Sequence, residues 1–132
     1  TWYAFAAVKS DGSVVTWGDA EYGGDSSAAR AELHEAGQKI YSTSYAFAAV
    51  KGDGSVVTWG DAVAGGDSSA VRAELQSDVQ QVYSTAWAFA AVRGNGSVVT
   101  WGHAAQGKCS TRNRQLGQQA FQMPRMRGQL TS

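Results

Sequence analysis

The sequence predicts an all-β fold built from tandem repeats, and three observations support this prediction. A seven-residue block that begins at Tyr3 recurs at Tyr45 and, with two exchanges, at Trp87, so the period is 42 residues. Residues 3–44 and 45–86 match at 31 of 42 positions without a gap. Each repeat contains short apolar stretches separated by turns with glycine, which is typical of strands. Self-similarity at such a period indicates stacked structural units.

The repeat divides the 132-residue chain into four segments. Repeat 1 covers residues 1–44, repeat 2 covers 45–86, partial repeat 3 covers 87–104, and a divergent basic tail covers 105–132. A single repeat is too small to bury a stable core. Stacked repeats can cover one another's apolar faces, so we expect the repeats to form one body.

The first half of each repeat predicts a β-hairpin. An apolar strand over 3–9 leads to Asp11 and Gly12, and a second strand follows over 13–17. An Asp-Gly pair between apolar runs favours a tight hairpin turn with positive φ at both central residues. The pair recurs as Asp53 with Gly54 and as Asn95 with Gly96. We interpret these six residues as structural.

The second half of the repeat predicts a short helix over 25–33 and a third strand over 39–43. Asp25 or Ser26 is suited to cap the helix, because its side-chain oxygen can accept a free amide of the first turn. Apolar residues four positions apart would share one face of the helix. They are Ala29 with Leu33 in repeat 1 and Val71 with Leu75 in repeat 2.

One tryptophan lies at the end of the second strand in each repeat: Trp17, Trp59 and Trp101. We interpret them as stacking elements between neighbouring repeats; a ligand site lined by aromatic rings is the alternative. The strands carry apolar residues on both faces, which predicts burial on both sides. A period near 40 with strands and a Trp-Gly pair favours propeller-like blades over helical repeats. The chain would then form three blades of an open or partial propeller.

The residues also resemble a known family. From Ala4 the repeat reads Ala-Phe-Ala-Ala-Val-Lys-x-Asp-Gly-Ser-Val-Val-Thr-Trp-Gly-Asp, followed by Gly-Gly. This resembles the repeat of the regulator of chromosome condensation superfamily over residues 3–104, and it is similar to the short-repeat propeller inhibitors of β-lactamase. The resemblance implies a β-propeller that acts as an exchange factor for a small GTPase, within a ubiquitin ligase, or as an inhibitor. The family's His and Leu before the turn are Phe and Val here.

The neutral net charge conceals an asymmetry along the chain. Residues 1–103 carry six basic and eleven acidic residues, a balance of −5, whereas residues 104–132 carry five basic residues and no acidic one, a balance of +5. A uniformly basic nucleic-acid binder is therefore excluded. We interpret the tail as a divergent end; the alternative is a basic arm for nucleic acid or an acidic partner, and we expect no nucleic-acid binding outside the tail.

We expect no enzyme, cofactor or metal, because residues that recur in every repeat are poor catalytic candidates. The single cysteine, Cys109, excludes an internal disulfide. His34, His103 and Cys109 lack the paired spacing of a zinc site. Cys109 is interpreted as a surface thiol; the alternative is a thiolate favoured by Lys108 and Arg112. No apolar run approaches the roughly 18 residues of a membrane helix, so we expect no membrane partner.

The expected function is a non-enzymatic protein-interaction scaffold, as part of a longer propeller of this type. A regulatory propeller of an exchange factor or ubiquitin ligase, or a lectin-like propeller, is the alternative. Recognition should lie where the repeats differ, since loops carry function on rigid scaffolds. These positions are Glu21, Tyr22, Val63, Ala64, Ala105 and Gln106. Open faces favour self-association, and the absence of a signal-peptide pattern favours an intracellular location.

Overall fold

The computed structural model describes residues 1–34 and 38–103, which form three small antiparallel sheets with short helical turns between them. The prediction of an all-β fold is confirmed. The strands are β1 (Ala4–Val8), β2 (Val14–Gly18), β3 (Lys39–Ser42), β4 (Ala46–Val50), β5 (Val56–Gly60), β6 (Val79–Ser84), β7 (Ala88–Arg93) and β8 (Val98–Gly102). The basic tail, with Ala105, Gln106 and Cys109, lies outside the described residues.

The sheets do not coincide with the sequence repeats. The first sheet pairs β1 with β2, the second has the order β3-β4-β5, and the third has the order β6-β7-β8. The third strand predicted for repeat 1 therefore belongs to the second sheet, where Lys39 faces Val50 and Ser42 faces Phe47. Each complete sheet takes its first strand from one repeat and its hairpin from the next. This exchange of strands joins consecutive repeats through backbone hydrogen bonds.

The hairpin turns differ from the expectation of positive φ at both central residues. Gly12 has a φ of +90°, but Asp78 is the sole residue other than glycine with positive φ within 1–34 and 38–103. The amide of Lys9 donates to the carbonyl of Ser13 over 2.8 Å, which closes a three-residue loop. In such a loop only the glycine of the bulge needs the left-handed conformation. The Asp11 carboxylate accepts hydrogen bonds from the amide and hydroxyl of Ser13, at 2.9 and 2.7 Å.

The predicted helices are short 3₁₀ segments at Ser27–Glu32 and Ser69–Leu75. The Asp25 carboxylate accepts the amide of Ser27 over 2.9 Å, whereas the hydroxyl of Ser26 makes no cap and hydrogen-bonds Thr16 over 3.0 Å. The predicted helix faces are buried. The exposed fractions are 4% for Ala29, 2% for Leu33, 1% for Val71 and 3% for Leu75.

Two further helical turns, Ala20–Tyr22 and Ala62–Gly66, lie between the Trp-Gly and Gly-Gly pairs. The sequence pattern does not predict these two turns, because so short a segment shows no helical periodicity. Each turn is capped by an aspartate: the Asp19 carboxylate accepts the amide of Glu21 over 2.9 Å, and Asp61 accepts the amide of Val63 over 2.8 Å.

A buried tryptophan couples the second sheet, and another couples the third sheet, to the preceding repeat. The indole nitrogen of Trp59 donates to the carbonyl of Gly23 over 3.1 Å, and that of Trp101 donates to the carbonyl of Gly65 over 3.1 Å. Trp59 and Trp101 are only 4% and 2% exposed. These two tryptophans therefore act between neighbouring repeats.

The Gly-Gly loop that accepts this hydrogen bond also packs on an aromatic ring. Gly23 has a φ of +105°, and a Cβ atom at this position would lie 2.5 Å from the ring of Phe47. Phe47 stacks on Trp59 with ring centroids 5.3 Å apart. The loop thus covers the Phe–Trp pair of the next sheet, and only glycine permits so close an approach.

The first sheet is the exception to burial on both faces. All five residues of β4 are buried, whereas β1 has one fully buried residue, Ala4. Phe5 is 58% exposed and Trp17 is 51% exposed. No Gly-Gly loop among the described residues covers this pair. The prediction of burial on both faces is therefore wrong for β1, because burial of the second face requires a neighbour on that side.

We expect Trp59→Phe to lower the free energy of unfolding by about 1–3 kcal/mol, because the buried Gly23 carbonyl would lose its donor. Trp17→Phe is the matched control, since Trp17 is half exposed and ends the same strand sequence; it should change stability by no more than about 0.5 kcal/mol. Urea-induced unfolding followed by circular dichroism measures both. An equal loss of unfolding free energy in the two variants would contradict the role of Trp59 in coupling neighbouring repeats.

The aspartates of the hairpin turns should make the free energy of unfolding depend on pH in the acid range. The hydroxyl of Ser13 and then its amide lower the pKa of Asp11, and Ser55 lowers the pKa of Asp53 in the same way. The unfolded chain then binds more protons than the folded chain, so the free energy of unfolding falls as the pH drops from about 4 through the lowered pKa values. The double variant Asp11→Asn, Asp53→Asn should flatten this decline, because the amide oxygen can keep the hydrogen bonds without titrating.

Repeat 3 already has asparagine at this position of the turn. Asn95 already accepts the amide and hydroxyl of Ser97 at 2.9 and 2.7 Å. Urea unfolding at a series of pH values from 6 to 2.5 measures the decline, and stability at pH 7 serves as the control for an intact turn. An equally steep decline in the double variant would show that these carboxylates do not contribute to it.

Candidate aromatic binding surface

One aromatic residue of each repeat lies at the same end of the three sheets. Tyr3 stacks on Tyr45 with ring centroids 6.2 Å apart, and Tyr45 contacts Trp87 at 4.7 Å. The positions are 42 residues apart, so the row is a direct product of the repeat. Together with Trp2 and Tyr22 these residues form what we call the aromatic surface.

The turns ahead of β4 and β7 place two rings of the row. The hydroxyl oxygen of Thr43 accepts the amide of Tyr45 over 3.2 Å, and that of Thr85 accepts the amide of Trp87 over 3.2 Å. Neighbouring turns are joined by a backbone bond, since the amide of Ser44 donates to the carbonyl of Ala86 over 2.9 Å. The rings are therefore held in register by the backbone rather than by their own contacts alone.

Two additional rings widen the row. Tyr22, from the helical turn after β2, lies 5.1 Å from Tyr3 and 5.2 Å from Tyr45 between ring centroids. Trp2 lies 5.7 Å from Tyr45. Such tilted and stacked pairs are favourable arrangements of aromatic rings. The five residues thus form one continuous patch rather than separate side chains.

Much of this patch is open to solvent. Trp2 is 69% exposed, Tyr3 51% and Trp87 36%, while Tyr22 and Tyr45 are half-buried. Large apolar side chains that adjoin one another on the surface mark interaction sites, whereas scattered ones do not. Tyrosine and tryptophan are also the residues enriched at the energetically dominant positions of interfaces.

Carboxylates adjoin the aromatic surface. The carbonyl of Tyr3 accepts the amide of Asp19 over 2.8 Å, and that of Tyr45 accepts the amide of Asp61 over 3.0 Å. The pKa of Tyr22 is raised above its ordinary value, first by desolvation and then by the negative charges of Glu21, Asp19 and Asp61. Acidic groups of two repeats therefore act on the same ring.

The third repeat changes this chemistry. His103 takes the slot of Asp19 and Asp61, its amide donates to the carbonyl of Trp87 over 2.9 Å, and its ring lies 5.9 Å from that of Trp87. The surface therefore has an acidic side toward repeats 1 and 2 and an imidazole at repeat 3. The electron-rich faces of the rings, together with the carboxylates, suit a cationic group of a ligand.

The structure exposes some of the predicted partner-binding residues and buries another. Glu21 is exposed and Tyr22 belongs to the aromatic surface. Val63 is 57% exposed, but Ala64 is fully buried, and its carbonyl accepts the hydroxyl of Thr43 over 3.0 Å. The side chain of Ala64 is therefore not part of an exposed contact, because the helical turn directs it into the core.

The sequence pattern predicts no binding role for Trp2, Tyr3, Tyr45 or Trp87. A 42-residue period in aromatic residues was visible, but the same period applies to the buried pairs such as Phe89 and Trp101. Periodicity alone does not separate a ring that packs inside from one that lies at the end of a sheet.

Other candidate sites have structural explanations. A groove of about 730 Å³ between β5 and the 3₁₀ segments Ser27–Glu32 and Ser69–Leu75 is lined in part by Asp53 and Asp67, but serine side chains and amides already hold these carboxylates. Residues 1–34 and 38–103 contain no cluster of three or more histidine, cysteine or acidic side chains placed to bind a metal ion. None of the helices in this part of the chain is long and apolar enough to cross a membrane.

Comparison with known proteins adds no assignment. No protein-family model matches this chain, and no curated protein is significantly similar to it. The resemblance to the regulator of chromosome condensation repeat therefore stays a prediction from the sequence.

We expect Tyr22 to ionise above the ordinary range of tyrosine, because desolvation and nearby carboxylates disfavour the phenolate. Glu21→Gln should lower the pKa of Tyr22 by removing one of these charges. An ultraviolet difference titration, with Tyr22→Phe to assign the signal, measures this. Asp11→Asn, which removes a carboxylate that is not among the causes of the shift, is the matched control. An unchanged Tyr22 titration in Glu21→Gln would contradict the proposed charge environment.

Proposed function

We propose that this chain is a non-enzymatic protein-binding scaffold whose repeats are blades of a propeller-like stack. The observation that supports the binding role is the aromatic surface, in which five rings from three repeats adjoin one another and Trp2, Tyr3 and Trp87 are exposed. Support for the stack comes from the 42-residue period and from the tryptophan bonds that link consecutive repeats.

The resemblance of the repeat sequence to a known superfamily also supports this proposal. The repeat sequence resembles that of the regulator of chromosome condensation superfamily, whose members include scaffolding and regulatory propellers. We propose the scaffold role because the exposed surface is aromatic and acidic. Asp19 and Asp61, whose carboxylates lie beside this surface, each accept a backbone amide of a helical turn. These two residues therefore stabilise the turns as well as contribute negative charge.

The partner that fits this surface is a cationic segment of another protein. A lysine or arginine side chain over a tyrosine or tryptophan ring gains about 0.5–1 kcal/mol at an exposed site and more when desolvated. Glu21, Asp19 and Asp61 add attraction for the same charge. The balance of −5 over residues 1–103 also favours approach of a basic partner.

Fluorescence polarisation with labelled synthetic peptides tests this proposal. We expect an Arg- and Lys-rich peptide to bind the full chain, and neutral and Glu-rich peptides of equal length not to bind. Tyr3→Ala and Trp2→Ala should each weaken binding of the basic peptide at least about fivefold, because each removes an exposed ring. Trp17→Ala, which removes an exposed ring away from this surface, should not change the affinity.

The charge contribution is tested separately. Glu21→Gln should weaken binding at low salt and reduce its salt dependence, since one screened attraction is lost. Equal binding of basic and neutral peptides, or equal weakening by Trp17→Ala and Tyr3→Ala, would contradict the proposal. Binding of glycans on an array, lost in Tyr3→Ala, would favour the lectin-like alternative instead.

A further inference from the structure

Three Phe–Trp pairs of nearly the same geometry occur in the described part of the chain, and one of them is open. The ring centroids are 5.5 Å apart for Phe5 and Trp17, 5.3 Å for Phe47 and Trp59, and 5.2 Å for Phe89 and Trp101. The last two pairs are buried, whereas Phe5 and Trp17 are more than half exposed. The open pair is thus already in the arrangement that the buried pairs adopt.

The structure shows twice what covers such a pair. A Gly-Gly loop of the preceding repeat lies on the phenylalanine ring, and its first glycine accepts the indole N–H of the tryptophan. The indole nitrogen of Trp17 has no hydrogen-bond acceptor within residues 1–34 and 38–103. The free donor and the free ring therefore match one loop of known shape and chemistry.

The edge of β1 gives a second, independent observation. β4 lies between β3 and β5, and β7 lies between β6 and β8, but within residues 1–34 and 38–103 β1 pairs only with β2. The strand that flanks β4 comes from the preceding repeat, about fifteen residues after the Gly-Gly loop of that same repeat. One repeat unit would therefore satisfy both the open edge and the open aromatic pair.

We propose that the face formed by β1, Phe5 and Trp17 is a docking surface for a further repeat unit of the same kind. The docked unit places its Gly-Gly loop on Phe5, accepts the indole N–H of Trp17 with its first glycine carbonyl, and pairs a strand like Lys39–Ser42 with β1. This inference does not depend on the partner proposed for the aromatic surface.

The chemistry of the loop restricts the occupant. The second glycine of the pair is also required, because a Cβ atom at Gly24 or Gly66 would collide with the carbonyl of Gly18 or Gly60. Repeat 3 reads Gly107-Lys108 at the aligned positions. The fitting occupant is therefore a unit with the Gly-Gly loop of repeats 1 and 2.

An extended variant tests the proposal. A second copy of residues 1–42 joined directly ahead of Thr1 reproduces the natural junction between Ser42 and Thr43. We expect hydrogen exchange of the Trp17 indole N–H, followed by nuclear magnetic resonance and assigned with Trp17→Phe, to slow at least about tenfold relative to the parent chain. The indole would gain a buried acceptor, as in Trp59 and Trp101.

Two controls make the result specific. The same extended variant with alanine at the added copy of Gly23 should lose the protection of Trp17, because a Cβ atom there would lie about 2.5 Å from the ring. A chain of equal length in which residues 45–86 are duplicated internally should leave Trp17 unprotected. Circular dichroism and thermal unfolding confirm that each variant is folded.

Specific outcomes would overturn the proposal. Rapid exchange of the Trp17 indole in a folded extended variant would do so. Equal protection of the Trp17 indole in the extended variant with alanine at the added copy of Gly23 would also overturn it, since the contact would then not depend on the glycine loop. If the extended variant failed to fold while the internal duplication folded, the added unit would not complete this face, and the proposal would fail as well.

Discussion

The bond from a tryptophan indole to a glycine carbonyl of the preceding repeat is the interaction on which the rest of the structure depends. It forms at Trp59 and Trp101, where the donor is almost completely buried and the loop glycine lies against a phenylalanine ring. A repeat of about 42 residues cannot bury enough apolar surface by itself. The bond and the ring contact join each repeat to the next, and the exchanged strand adds backbone pairing at the same junction.

The candidate function follows from the same stacking. Once the repeats are in register, any aromatic residue at the end of a sheet must meet its copies from the neighbouring repeats. Tyr3, Tyr45 and Trp87 therefore form a row, and Tyr22 joins it from a helical turn. The polar slot beside this row varies from Asp19 and Asp61 to His103, so the surface has a direction along the stack. A bound segment with charge at one end would be oriented by that difference.

Polar side chains that recur in the sequence hold the backbone rather than perform chemistry. Asp11, Asp53 and Asn95 each accept the amide and hydroxyl of the serine two residues later. Thr43 and Thr85 hold the turns ahead of the central strands. The exchange of aspartate for asparagine in repeat 3 shows that the hydrogen bond, and not the charge, is the requirement. Strong repetition of a polar residue is thus explained by local geometry.

The sequence by itself determined the period, the strands, the turn positions and the apolar faces of the short helices, because these depend on contacts within a few residues. Ala29, Leu33, Val71 and Leu75 are buried as their spacing predicted. Only the tertiary structure decided that the third strand of repeat 1 belongs to the next sheet, that Trp59 is buried while Trp17 is exposed, and that Tyr3 and Tyr45 share a surface. The physical reason is that the same residue at the same repeat position acquires different burial from different neighbours, and a neighbour's presence is not a property of the residue itself.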